Sequence, residues 1–67
     1  LNGLPARQKE IVQILKKNND RVTQNLLLEK MSLPKSSLSR NVKALERKGI
    51  VEVVNLGNSN LISLKKE

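Results

Sequence analysis

The sequence contains no cysteine, no histidine and no aromatic residue. Without cysteine and histidine, disulfides are excluded, and so are the zinc sites and nucleophile–base pairs that use these side chains. Without aromatic rings, the chain lacks the surfaces on which single-strand binders and RNA-recognition sheets stack bases. The six acidic residues are scattered, each near a lysine or arginine. We therefore expect no enzymatic activity, no metal, no cofactor and no small-molecule ligand.

Long apolar segments are also missing. No hydrophobic run approaches membrane-spanning length, and no signal peptide is visible. The 67 residues suffice for one small domain, and they begin without methionine. We expect residues 1–67 to form a single domain excised from a longer chain.

Acidic residues are few compared with basic ones. Six Asp and Glu stand against 13 Lys and Arg, which gives a formal net charge of +7 at pH 7. Such a balance favours an anionic partner such as nucleic acid or anionic lipid. Much of the excess lies between Lys30 and Lys48, where six cations accompany one acid.

The segment from Leu33 to Val51 combines an apolar stripe with a polar, cationic face. Leu38, Val42 and Leu45 recur at helical spacing and predict one buried face. A proline can open this helix and a glycine suits the position after its end, so we predict a helix over about residues 35–48. The groups outside the stripe are of the kinds that contact phosphates and base edges, namely Lys35, Ser36, Ser37, Ser39, Arg40 and Lys43.

Two helices precede this segment. The first begins at Pro5 and ends at the turn cluster of residues 18–20. Its predicted apolar face holds Ile11, Ile14 and Leu15, with Ala6 or Gln8 one turn earlier. Val22 is isolated and β-branched, which allows a one-rung strand. Thr23 is a good N-cap for a second helix over Gln24–Met31, and Ser36 offers a partial cap for the third.

The C-terminal third predicts a β-hairpin. Residues 50–56 are rich in β-branched side chains, residues 57–60 suit a turn, and residues 61–64 form a second strand. The expected order is α-β-α-α-β-β. The fold class is therefore α+β, mostly α, with three helices and a hairpin in a winged helix-turn-helix arrangement.

From Leu4 to Leu64 the sequence resembles the MarR-like and IclR-like winged helix-turn-helix domains of bacterial and archaeal transcription regulators. The most specific matches are Thr23-Gln24 before Leu27, the run Met31–Arg40, and the run Val42–Val51. This resemblance implies a cytoplasmic regulator of transcription that binds double-stranded DNA. Tethering to a membrane through a missing part of the parent chain stays open.

The resemblance also implies roles for individual residues. The third helix enters the major groove, where Ser36, Ser37 and Ser39 bond phosphates or base edges. Arg40 contacts guanine or clamps a phosphate, and Lys35 and Lys43 neutralise phosphates. Thr23 and Gln24 match positions that touch phosphate at the start of the second helix.

The predicted hairpin, which is the wing of a winged helix-turn-helix domain, differs from the family pattern. Asn58 stands where a basic residue usually follows the turn glycine, and Ser59 and Asn60 complete an uncharged turn. Val54, Leu56 and Leu61 add more aliphatic surface than a half-solvated hairpin needs. They suggest contact with a second copy or with a neighbouring domain of the parent chain. The alternative function is therefore a protein-docking module that uses this hairpin. Binding to an anionic membrane surface is a third interpretation. It would need a basic amphipathic helix whose apolar face is not part of the core, and the sequence contains no such helix.

Overall fold

A computed structural model describes residues 3–65, and the ends of the expected domain, residues 1–2 and 66–67, lie outside it. The element order confirms the predicted α+β arrangement of three helices and a hairpin. The elements are α1 (Ala6–Lys17), β1 (Arg21–Thr23), α2 (Gln24–Met31), α3 (Lys35–Arg47), β2 (Val51–Asn55) and β3 (Asn60–Leu64).

The three strands form one antiparallel sheet in the order β1-β3-β2. In the register, Val22 of β1 and Val53 of β2 both lie opposite Ile62 of β3. The strand that was expected to pair through Val22 alone is β1, which has three residues. The last strand in the chain is the central strand of the sheet.

The helices cover one face of the sheet and enclose the core with it. The fully buried side chains include Leu27 of α2 and Leu38 and Leu45 of α3, which the predicted stripes contain. The stripe of α1 was partly wrong. Of the two alternatives one turn earlier, Gln8 is buried and Ala6 is exposed. Ile14 is only half-buried, whereas the core also includes Val12.

Both helices of the helix-turn-helix have identifiable ends. The Thr23 hydroxyl accepts a 3.3 Å bond from the Leu26 N–H, which confirms the predicted cap of α2. Pro34 occupies the N-cap position of α3 and no side chain caps that helix, so the expectation of a cap from Ser36 was wrong.

A Schellman motif ends α3 at the predicted glycine. Gly49 has φ +76°, and its N–H donates to the Glu46 carbonyl at 3.0 Å. The Ile50 N–H donates to the Leu45 carbonyl, also at 3.0 Å. This motif occupies residues 48–50, so α3 ends at residue 47 and β2 begins at residue 51, one residue inside the predicted bounds in each case.

Candidate nucleic-acid interface

The exposed face of α3 carries a continuous row of cations and one hydroxyl. Ser36, Arg40, Lys43 and Arg47, here called the cationic row, are all exposed and follow spacings of four, three and four residues. These spacings keep the four side chains on one helix face, opposite the buried stripe. The row unites three predicted site residues with Arg47, which was not predicted. Its helical spacing from Ser36 was the signal in the sequence.

The cationic row is held in place by a polar network between α1 and α3. Gln8 is only 6% exposed. Its Oε1 accepts a 2.8 Å bond from Lys48 Nζ, and its Nε2 lies 3.5 Å from Asn41 Oδ1. The Asn41 Nδ2 donates to the Ser37 carbonyl at 2.9 Å. These contacts fix the rotation of α3 about its axis and therefore the direction in which the row faces.

The remaining predicted residues of α3 divide between its two flanks. Lys35 is exposed and Ser39 is half-buried, and both line grooves that α3 forms with the hairpin. Ser37 lies on the other flank, about 100° around the helix axis from Ser36 and about 200° from Ser39. It is half-buried, next to the Asn41 network. The structure thus brings Lys35 and Ser39 towards the hairpin and turns Ser37 away from it.

Two adjoining grooves separate α3 from the hairpin. The first has a volume of about 160 Å³ and lies between Lys35, the start of α2 and the hairpin turn. The second, of about 170 Å³, lies between Lys43, Glu46 and Val53. Carboxamides dominate the surface that the grooves share with the first turn of α2, and their residues are Gln24, Asn25, Asn55, Asn58 and Asn60. Of these, Asn25 and Asn55 were not predicted as site residues.

The start of α2 is tied to the hairpin across this surface. Asn60 Nδ2 donates a 3.2 Å bond to Gln24 Oε1. Thr23, immediately before Gln24, is half-buried and uses its hydroxyl as the helix cap. Gln24 therefore lies in the groove, whereas the Thr23 hydroxyl already has a partner.

The hairpin turn is uncharged and closed by its own polar groups. Asn55 Oδ1 accepts a 2.7 Å bond from the Gly57 N–H, and the Leu56 N–H donates to the Ser59 carbonyl at 2.8 Å. Asn58 is exposed between these bonds, and Ser59 is half-buried. The turn can offer amide and hydroxyl groups to a ligand, but no charge.

Aliphatic side chains lie on the side of the hairpin that faces away from the core. Val54 is 45% exposed and Leu56 is 55% exposed. Leu61 lies directly opposite Val54 in the register and is half-buried. Of the three side chains predicted as an interface, Val54 and Leu56 are thus exposed, and Leu61 is only partly exposed.

Two other kinds of site are absent from residues 3–65. In that part of the chain, no group of three or more acidic side chains is placed to hold a metal ion. None of its helices has the length and apolarity needed to cross a bilayer.

The chain matches a known protein family. Residues 4–65 match the family model described as a domain of unknown function, DUF7343. No curated protein and no solved structure matches the chain.

Proposed function

We propose that this chain, which belongs to the DUF7343 domain family, binds double-stranded DNA through α3 and serves in transcription regulation. The observation that carries the proposal is the cationic row, a set of exposed donors on the helix face opposite the core. An α-helix fits the major groove of B-DNA, and arginine can bond guanine there through two N–H groups. The proposed setting is a cytoplasmic, DNA-associated regulator of the MarR-like or IclR-like winged-helix type.

Phosphate neutralisation supplies most of the proposed affinity. Arg40, Lys43 and Arg47 approach the backbone or base edges, while Lys35 and the carboxamides of the groove approach the flanking strand. Each neutralised phosphate releases counterions, so the affinity falls steeply as salt is added. The uncharged hairpin turn adds hydrogen bonds without adding to this salt dependence.

Binding of a mixed-sequence duplex, measured by fluorescence anisotropy over a range of salt concentrations, tests the proposal. The double variant Arg40→Ala/Lys43→Ala loses two charges from the cationic row, and we expect it to bind at least tenfold more weakly. The control Lys16→Ala/Lys17→Ala loses two charges from the exposed end of α1 and should bind nearly as well as the wild type. Circular dichroism verifies that both variants are folded.

Two results would overturn the proposal. One is the absence of duplex binding by the wild-type protein even at low salt. The other is equal weakening in the two double variants, because binding would then reflect net charge rather than the α3 face.

The exposed Val54 and Leu56 favour a second candidate function, docking of a protein partner on the hairpin. Large aliphatic side chains on a solvated strand lose contact with water when a partner covers them. If the hairpin docks a protein partner, Leu56→Lys should abolish capture of that partner, whereas Arg40→Ala/Lys43→Ala should leave the capture intact. The pattern of loss in these two variants separates the two functions.

A further inference from the structure

The sheet has a solvent-facing side, here called the outer face, that carries two rows of side chains. Strand alternation places there the residues whose neighbours point into the core. One row runs Arg21–Ser63–Glu52 across the three strands, and the next runs Thr23–Leu61–Val54. The first row holds opposite charges at its two ends, and the second holds two aliphatic side chains.

We propose that two copies of this chain associate through their outer faces, about a two-fold axis that runs parallel to the strands over β3. Such an axis interchanges the positions of the two edge strands, and it places each row of one copy opposite the same row of the other copy. β1 of one copy then lies against β2 of the other. Leu61 packs against its symmetry mate, and Val54 packs against Thr23 of the second copy.

Charge complementarity indicates that the partner covering the outer face is a second copy of this chain. The exchange of edges places Arg21 of each copy opposite Glu52 of the other, twice by symmetry. Packed sheets lie about 10 Å apart, a separation that an arginine and a glutamate side chain can bridge together. Within one copy these two side chains lie on opposite edge strands and form no ion pair with each other. The two-fold arrangement gives both a partner.

The distribution of charge also directs association to this surface. Glu52 is the only charged residue between positions 49 and 64, although the whole chain carries a net charge of +7. Two copies that met through their helices would bring cationic surfaces together. Through the outer face they meet where each carries little net charge. The aliphatic area is small, so the association is weak and depends on concentration.

The geometry has a consequence that rests on the proposed function. A two-fold axis parallel to the strands points both hairpin turns in one direction. Because one groove joins each hairpin turn to Lys35, the N-terminal ends of both α3 helices lie at the same end of the dimer. Two copies can then occupy two half-sites of one duplex. Antiparallel pairing of the β2 edges would instead point the two hairpin turns in opposite directions.

Charge reversal tests the association in the absence of DNA, by sedimentation over a range of protein concentrations. Arg21→Glu alone and Glu52→Arg alone each oppose like charges in both symmetric contacts, so each variant should lose self-association. An equimolar mixture of the two variants restores opposite charges in both contacts and should form heterodimers at the wild-type level. The double variant Arg21→Glu/Glu52→Arg should also associate as the wild type does.

A second comparison tests the aliphatic row. Val54→Lys should lower the association constant about tenfold or more, since it removes buried apolar surface. Gln13→Lys adds the same charge on an exposed position of α1 and should have a much smaller effect. A wild-type protein that stays monomeric at all concentrations overturns the proposal, as does a mixture of charge variants that fails to associate.

The proposal of a dimer and the proposal of DNA binding can each be disproved without the other. Sedimentation without DNA reports only on the outer face, whereas binding of a duplex with a single half-site reports only on α3. A monomer that binds duplex DNA removes the dimer alone. A dimer that ignores duplex DNA removes the DNA-binding function alone. Capture of a different protein by the aliphatic row of a monomeric wild type counts against the dimer and favours a docking module.

Discussion

The ammonium group of Lys48 donates a 2.8 Å hydrogen bond to the side-chain carbonyl of Gln8, 40 positions earlier in the chain. This bond joins the end of α3 to the first half of α1. Because Gln8 is buried, its amide depends on protein partners rather than on water. The contact therefore stabilises the fold and also sets the direction in which the cationic row faces.

Removal of this contact should destabilise the protein. Gln8→Ala leaves Asn41 with one partner fewer and opens a small cavity, so we expect a loss of about 1–2 kcal/mol in the free energy of unfolding. Urea denaturation followed by circular dichroism measures the change. Gln13→Ala, an exposed substitution on the same helix, should stay within about 0.5 kcal/mol of the wild type. Equal stability of the two variants would show that the network contributes nothing.

The C-terminal end of α3 depends on a backbone conformation that suits glycine. Apart from Gly49 itself and its two chain neighbours, no described residue has an atom within 4 Å of the position that a Cβ on Gly49 would occupy, and φ is +76°. Gly49→Ala should therefore cost about 1–2 kcal/mol through the backbone alone. Gly49→Asn should retain more of the stability, because asparagine tolerates the left-handed region better. Thermal unfolding ranks the three proteins, and an alanine variant as stable as the wild type would contradict the account.

The core of so small a domain should be sensitive to a single truncation. Leu38 is fully buried, and Leu38→Ala should cost about 2–5 kcal/mol. Since a domain of this size has a total stability of roughly 3–10 kcal/mol, we expect a large unfolded population in the far-ultraviolet circular dichroism spectrum. Leu56→Ala removes the same atoms from an exposed position and should leave the spectrum and the unfolding midpoint almost unchanged.

Arg47 should take part in DNA binding if the cationic row is the contact surface. Loss of one phosphate contact reduces the slope of log K against log salt by about 0.9. We expect this reduction in Arg47→Ala, measured on the same duplex as for the wild type. Lys17→Ala, which removes one exposed cation from α1, should leave the slope unchanged. An unaltered slope in Arg47→Ala would place the end of α3 outside the interface.

The sequence predicted the elements best where local signals mark their ends. The bounds of α2 agree with the prediction because Thr23 caps its start, and Pro34 prevents its continuation. The end of α3 was predicted to within one residue, because Gly49 adopts the conformation that glycine favours. These signals depend on neighbouring residues alone.

Features that depend on packing were predicted less well. Val12 is buried and Ala6 is exposed because α1 packs against both the sheet and α3, which widens and rotates its buried face. The bond between Gln8 and Lys48 spans most of the chain, so no local pattern contains it. Arg47 was a different case. Its spacing from the other members of the row was visible in the sequence, and it lies in the last turn of α3.

The central position of β3 has a consequence for synthesis on the ribosome. β3 pairs with both other strands, and the register joins Arg21 to Ser63. A nascent chain can form its helices early, but the sheet lacks its central strand until residues 60–64 leave the exit tunnel. Until then the apolar faces of α1 and α3 lack Ile62, which is fully buried in the finished core. Folding of this domain is therefore expected to complete in one late, cooperative step.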